Sequence, residues 1–564
     1  MIELINVNVR DDPYNKTFLE IENNDVVRRI WRKDHTVWGE KDEEIGNRLG
    51  WLDAPERAAA DWPGWAAFAR DMRPAGITNV LLLGMGGSSL APEVFAKVFG
   101  PAPDGLRLDV LDSTDPASVL RAARSRPIDR TLFLVSSKSG TTLETASLLN
   151  FFYARAVEAA GREKAGRGFA AITDPGSRLE EEARRLGFRA VFPGDPDIGG
   201  RFSVFSAFGL VPAALLGLDG FRLIASAREA MARCRIPDLG ENPGARLGAA
   251  LGALALSGRD KARFLVSPRI GIFGAWIEQL VAESTGKNGR GILPLVRDTG
   301  AAAGGPAEDQ FFVVIALRDD PETAARVVAL TASGVPVISM FLDDLSDLGG
   351  QFFLWEFATA VAGAVLGINP FDQPNVALSK KKTEAALRRV TETGRFPEEI
   401  PSVEDGPLDL YAGEIAPTVR DGLLRFLVLA QPGDYVALQA FLPQFPEVGT
   451  ALRRLAGRIE SFAGRPVTYD FGPRFLHSTG QLHKGDAGGG LFLQITADHS
   501  EDAVVPDPSG EGTKQTTFGR IIDAQALGDR EALREKGRRV ARLHLHGDPV
   551  AGLERMNSLL NPKE

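Results

Sequence analysis

Val135-Ser136-Ser137-Lys138-Ser139-Gly140-Thr141-Thr142-Leu143-Glu144-Thr145 decides how this chain is read. An apolar run at 132–135 leads into it, and a helix-forming stretch follows. Six hydroxyls and one lysine stand within residues 136–145. A strand that ends in a small-residue turn and opens a helix is the βα unit of a parallel sheet. The free amides and positive dipole end of such a helix suit an anion, and hydroxyls add donors without net charge. The alternative is a plain helix cap with a capping box, Thr141 with Glu144. One Ser or Thr serves a cap, so this many point to a phosphate cradle. A Walker loop is excluded, because no Gly-x-x-x-x-Gly-Lys-Ser/Thr occurs here.

The same pattern extends on both sides. Leu81-Leu82-Leu83-Gly84-Met85-Gly86-Gly87-Ser88-Ser89 is another apolar strand running into a glycine turn. A dinucleotide fingerprint fails there, because position 89 is Ser. Apolar runs at 80–83, 108–111, 132–135, 170–172 and 190–192 alternate with helical stretches. A second series follows at 264–266, 292–295, 311–316 and 335–341. This alternation predicts parallel sheets with crossover helices. Residues 385–432 read as helical, broken by Pro397, Pro401 and Pro407. Runs at 435–438, 468–471, 491–496 and 540–545 then predict a third, less regular α/β unit. The expected organisation is an N-terminal helical wrap over 1–74, α/β units over 75–215 and 216–384, and a C-terminal α/β extension over 385–564. Trp31, Trp38, Trp51, Trp62 and Trp65 lie in the wrap and are expected to pack it onto the next unit.

Bulk properties narrow the function class. A chain of 564 residues exceeds one core. The net charge of −9 argues against a nucleic-acid partner, which selects a basic face, and requires any phosphate site to be built locally. Cys234 is the single cysteine, so no intrachain disulfide forms. Residues 1–30 carry acids and no continuous apolar segment of the signal-peptide kind. The stretches 272–281 and 357–368 read as too short or too interrupted to span a bilayer. The expectation is a soluble, cytoplasmic protein with no membrane partner.

Three further motifs carry candidate chemistry. Ile198-Gly199-Gly200-Arg201-Phe202-Ser203-Val204 sets an arginine behind paired glycines. The glycines allow close backbone approach, and a permanently charged guanidinium suits a developing oxyanion. A surface salt bridge is the commoner fate of an arginine. In the stretch 278–289, Gln279 and Glu283 fall four residues apart, on one face of a helix ending near Gly286. Pattern alone reads Glu283 as a solvated helical glutamate. Asn369-Pro370-Phe371-Asp372-Gln373-Pro374-Asn375-Val376-Ala377-Leu378-Ser379-Lys380 spaces Gln373 and Lys380 by two helical turns. Lys381 and Lys382 adjoin, so a basic helix face is the bland reading.

Taken together, these motifs resemble the glucose-6-phosphate isomerase family. Residues 137–145 look like the phosphate loop of the sugar isomerase (SIS) domain. The resemblance covers nearly the whole chain and is strongest over 80–382. It implies an α/β fold of two tandem SIS-type parallel-sheet sandwich domains plus the C-terminal α/β extension. It also implies an aldose–ketose isomerase with a sugar-phosphate substrate, no cofactor and commonly a homodimer. By the same resemblance Ser137, Ser139, Thr142 and Thr145, with Lys138 in the loop, hold the phosphate. Gly87 and Ser88 line the other side of the substrate, with Gly200 beside Arg201. Glu283 is the proton-shuttling base, Gln279 and Gln373 contact substrate, Arg201 stabilises the enediolate, and Lys380 assists ring opening.

One departure stands out. Family members commonly place a ring-opening histidine between the glutamate and glutamine motifs, whereas residues 284–372 contain none. The histidines are His35, His477, His483, His499, His544 and His546. Imidazole titrates in the right range for proton transfer near neutrality. His477 or His483, in the polar stretch Gly472-Pro473-Arg474-Phe475-Leu476-His477-Ser478-Thr479-Gly480-Gln481-Leu482-His483-Lys484-Gly485, is expected to supply the missing group, from the same chain or a partner subunit. The alternative is a structural loop with hydrogen-bonded histidines. This region and residues 31–38 resemble the isomerase half of bacterial transaldolase/glucose-6-phosphate isomerase fusions. Isomerase activity without transaldolase activity is expected. No metal site is expected: His-Glu-x-x-His and cysteine clusters are absent, and His544 and His546 are read as facing opposite sides of a strand. Two other readings compete, a dual phosphoglucose/phosphomannose isomerase and a non-catalytic sugar-phosphate sensor. The joint presence of Glu283, Arg201 and Lys380 in their motifs counts against a sensor.

Overall fold

The computed structural model describes residues 2–5, 13–299, 308–506 and 516–561. Strand β1 (Ile2–Ile5) is an antiparallel edge strand of the second sheet. The first sheet holds β2 (Asn79–Gly84), β3 (Arg107–Leu111), β4 (Thr131–Ser136), β5 (Phe169–Thr173) and β6 (Ala190–Pro193), in the order β3-β2-β4-β5-β6, all parallel. The second holds β7 (Lys261–Val266), β8 (Leu293–Leu295), β9 (Gln310–Leu317) and β10 (Val337–Leu342), in the order β1-β10-β9-β7-β8. Strands β4 and β9 are buried along their whole length, because helices cover both faces of the sheet.

The third sheet runs β11-β12-β18-β15-β13-β14. It comprises β11 (Val403–Asp405), β12 (Leu408–Tyr411), β13 (Tyr435–Phe441), β14 (Val467–Phe471), β15 (Gly490–Ala497) and β18 (Arg539–Leu545). Between the last two, β16 (Val504–Val505) and β17 (Thr516–Thr517) pair with each other. The four strands β14, β13, β15 and β18 are parallel. Each apolar run named above becomes a strand. The β11–β12 hairpin does not follow the expectation of a helical 385–432: Asp405-Gly406-Pro407 is a turn signal that joins two short strands. The helix Val376–Thr393 also runs across residue 384 without a break. The N-terminal wrap includes residues 1 and 6–12, which lie outside the described ones.

The helix Leu348–Leu366 is apolar on every side and sits at the centre of the largest core cluster. Its second half was read above as too short to span a bilayer. The whole stretch Leu345–Leu366 is long and apolar enough to do so, and most of it is buried inside the protein. The N-terminal tryptophans close over this helix. Trp31 stacks on Phe353 and Phe357, and Trp38 donates its indole N–H to the Ala360 carbonyl at 2.7 Å. Trp51 is fully buried against Phe202 and Phe353.

The C-terminal unit straddles the other two. Ala503, Val505, Phe518 and Ile521 join the core of the first sheet. Tyr435, Leu482, Phe492 and Leu533 pack against Ala282, Leu293 and Leu295 of the second. Buried ion pairs reinforce the junction: Arg297 bridges Glu278 and Asp470, each at 3.0 Å, and Arg474 pairs with Glu93 and Asp112. This seam carries the loop between β14 and β15 into the cleft between the two sheets.

Candidate active site

The loop after β4 opens the helix Leu143–Ala160, and its capping residue Thr142 makes no side-chain cap hydrogen bond. The capping box that offered the plain reading does not form. Ser137 Oγ instead meets Thr142 Oγ1 at 3.2 Å and accepts the Gly140 amide at 3.2 Å. Ser139 Oγ lies 2.9 Å from Thr141 Oγ1. The Thr145 hydroxyl is buried with no partner. An uncapped helix start ringed by hydroxyls is suited to a phosphate. Lys138 turns away from the ring: its ammonium pairs with Asp174 at 2.6 Å and donates to the Asp195 carbonyl at 2.9 Å. The lysine thus ties the loop to the chain leading into the arginine turn.

That turn presses on the glycine turn after β2. A Cβ on Gly87 would overlap the Gly200 carbonyl, so only glycine fits there beside Ser88. Gly86 has φ of +53°, and a Cβ on it would stand 2.8 Å from both Gln279 Nε2 and the His477 carbonyl. Arg201 is thereby directed inward and is 3% exposed. It donates to Ser284 Oγ at 2.7 Å, to the Asp372 carbonyl at 3.0 Å and to Gln373 Oε1 at 3.3 Å. One guanidinium N stands 3.5 Å from the Glu283 carboxylate. Burial pulls the Arg201 guanidinium below its ordinary range, against the attraction of Glu283 and Asp372.

Glu283 lies in the last turn of the helix Phe273–Thr285, which is buried throughout. Gln279, one turn earlier, donates to Glu283 Oε2 at 3.0 Å and to the His477 carbonyl at 2.7 Å. His477 Nε2 lies 2.9 Å from Glu144 Oε1, which also accepts from Gln525 Nε2 at 2.7 Å. Burial pushes the His477 imidazole down, but the Glu144 charge and hydrogen bond outweigh it and hold the ring above 6.5. Burial likewise pushes Glu144 up, and the His477 charge, aided by Lys380, brings it below 4.5. Lys380 itself is exposed, on the helix Val376–Thr393.

The structure therefore brings Arg201, Glu283, Gln279, His477 and Glu144 into one contiguous chain of contacts drawn from all three sheets. His483 does not join it. Its ring is buried among Tyr435, Phe475 and Phe492, with Nδ1 3.3 Å from Gln439 Nε2. Burial holds it well below 6.5. Four participants escaped the sequence reading. Glu144 was read as a capping partner. Gln525 carries no motif. Ser284 and Lys287 were hidden inside the base motif. Lys287 pairs with Asp372 at 2.6 Å; burial and the nearby Arg201 charge lower its pKa to about 8.

His544 and His546 also depart from expectation. Alternate residues of a strand share a face. Their rings meet edge to face, 4.8 Å apart, and both reach Asp498.

A family model described as phosphoglucose isomerase matches residues 60–291. A glucose-6-phosphate isomerase of Synechococcus sp. (strain CC9605) is 33% identical over 371 residues, covering 57% of this chain and 69% of the relative. The glucose-6-phosphate isomerase of Thermosynechococcus vestitus is 31% identical, covering 62% of this chain and 73% of the relative. Among solved structures, a glucose-6-phosphate isomerase from Chlamydia trachomatis superposes with a TM-score of 0.59 at 20% identity, over 70% of this chain and 89% of that one. That last likeness is one of fold.

Proposed function

This chain belongs to the phosphoglucose isomerase family, and from that premise we propose that it interconverts glucose 6-phosphate and fructose 6-phosphate. The observation that carries the assignment of residues is the unbroken sequence of contacts Arg201–Glu283–Gln279–His477–Glu144. It sets a carboxylate, a fixed positive charge and an imidazole whose pKa the Glu144 charge raises around one cleft beside the hydroxyl-rich loop.

The phosphate sits on the amides and hydroxyls of Ser137, Ser139, Thr142 and Thr145. Gln373 and Gly87–Ser88 flank the sugar. His477, kept protonated by Glu144, gives a proton to the ring oxygen as the cyclic sugar opens, with Lys380 assisting. Glu283 then removes the proton alpha to the carbonyl and returns it to the neighbouring carbon. Negative charge that develops on the enediolate oxygens is met by Arg201. No step requires a metal or an organic cofactor. The histidine comes from the same chain's C-terminal unit, so that unit completes the site. A cytoplasmic homodimer is part of the same proposal, its subunit count to be read by light scattering.

The first test is a coupled assay of fructose 6-phosphate turnover with EDTA present, comparing wild type with Glu283→Gln. The expected loss is about 10²–10⁴-fold in kcat. An inactive wild type that still binds sugar phosphate would turn the reading to a sensor.

A further inference from the structure

The search outside the active site leads to the carboxyl ends of β15 and β18. Asp498 follows β15, His544 lies in the last turn of pleat of β18, and His546 stands just beyond it. We propose that Asp498, His544 and His546 form a binding site for one divalent transition-metal ion of the zinc type, separate from the isomerase site.

The geometry carries this. One ligand atom from each residue lies within 4.8 Å of the others. His544 Nε2 is 3.1 Å from Asp498 Oδ1, and His546 Nδ1 is 3.2 Å from Asp498 Oδ2. Two ligands on a tetrahedral ion with bonds near 2.0–2.1 Å stand about 3.4 Å apart, so small side-chain shifts admit the ion.

The far side of each ring is also arranged for ligation. His544 Nδ1 is 2.9 Å from Thr496 Oγ1. His546 Nε2 is 2.9 Å from the Asp409 carboxylate on β12. A proton held on Nδ1 of His544 and on Nε2 of His546 leaves Nε2 and Nδ1, respectively, with lone pairs facing Asp498. Metal-binding histidines are oriented by such outer hydrogen bonds to hydroxyl, carbonyl or carboxylate groups. Two imidazoles and one carboxylate select zinc-like ions over magnesium or calcium, which prefer oxygen ligands. Asp498 and His546 are exposed and His544 is half-buried, so an ion can enter from solvent and water can fill the remaining position. The backbone position has a basis in the fold: parallel strands deliver their following loops to one edge, where ligand groups converge.

The test uses the full chain, purified without an oligohistidine tag, stripped with EDTA and desalted. Co²⁺ is titrated in and the visible absorption of four-coordinate cobalt is followed, with Zn²⁺ as competitor. The expected result is one saturable equivalent that Zn²⁺ displaces. His544→Gln and Asp498→Asn should abolish it, and Asp409→Asn should weaken it about 10–100-fold. His35→Gln, at a half-buried histidine of the N-terminal wrap, should leave it unchanged. Circular dichroism confirms that each variant is folded. Absence of saturable binding in the wild type, or equal binding in folded His544→Gln and Asp498→Asn, overturns the proposal.

Discussion

The pairing of His477 with Glu144 shows what one contact does to two groups. Burial alone would leave a neutral imidazole and a neutral carboxyl. Their mutual charge reverses both tendencies, raising His477 above 6.5 and lowering Glu144 below 4.5. The imidazolium therefore persists to higher pH than in a free histidine, and activity that depends on it as an acid falls as pH rises through that elevated value. In Glu144→Gln the support is removed while burial remains, so the alkaline limb of the kcat/KM profile should move to lower pH. A limb that stays in place would remove His477 from the role of acid. Thr145 offers a second test. Its hydroxyl is buried and unpartnered, so Thr145→Val loses no internal hydrogen bond and should be neutral or stabilising in thermal melts. Affinity for sugar phosphate should nevertheless fall about tenfold, the worth of one hydrogen bond of about 1.4 kcal/mol. Stability and affinity moving in opposite directions would separate a phosphate ligand from a packing residue.

Elements act here by meeting end to end. The turn after β2 and the Gly199-Gly200-Arg201 turn touch through bare backbone, and that closeness directs Arg201 inward. Gly87→Ala places a methyl into the Gly200 carbonyl. Overpacking of this kind costs about 1–3 kcal/mol, and the displaced Arg201 should lower kcat more than it changes KM. Melting and steady-state kinetics on the same preparation check both parts. The helix Phe273–Thr285 gives the complementary case. Its full burial holds Gln279 and Glu283 in register, one turn apart, while its last turn feeds Ser284 to Arg201.

At the level of the whole molecule, the C-terminal unit is a third wall of the site. Inside it Lys484 and Asp529 form a buried ion pair at 2.6 Å, and Ser379 Oγ reaches Asp529 at 3.2 Å from the helix carrying Lys380. Lys484→Met strands the Asp529 carboxylate in the interior and should destabilise by about 3–5 kcal/mol. Because Lys484 follows the histidine stretch in sequence, chemical denaturation monitored together with isomerase activity should show the two lost in parallel.

The sequence by itself determined the strands and the glycine turns, and its motifs named Arg201, Gln279 and Glu283, which meet in the fold. Apolar runs between turn residues, such as 132–135 and 311–316, report burial on both faces of a parallel strand whatever the packing partner. Gly87 is legible for a similar reason, since a Cβ there would overlap the Gly200 backbone and leaves room for no other residue. What only the tertiary structure decided is the direction of long polar side chains and the meeting of distant segments. Lys138 stands within the hydroxyl loop yet pairs with Asp174. His477 and His483 share one loop, but six residues of turn and helix send the first to Glu144, 333 positions away, and the second into an aromatic core. Local spacing carries no information about a partner at that separation. The physical reason is that charge and hydrogen-bond pairing are set by where the C-terminal sheet docks across the other two.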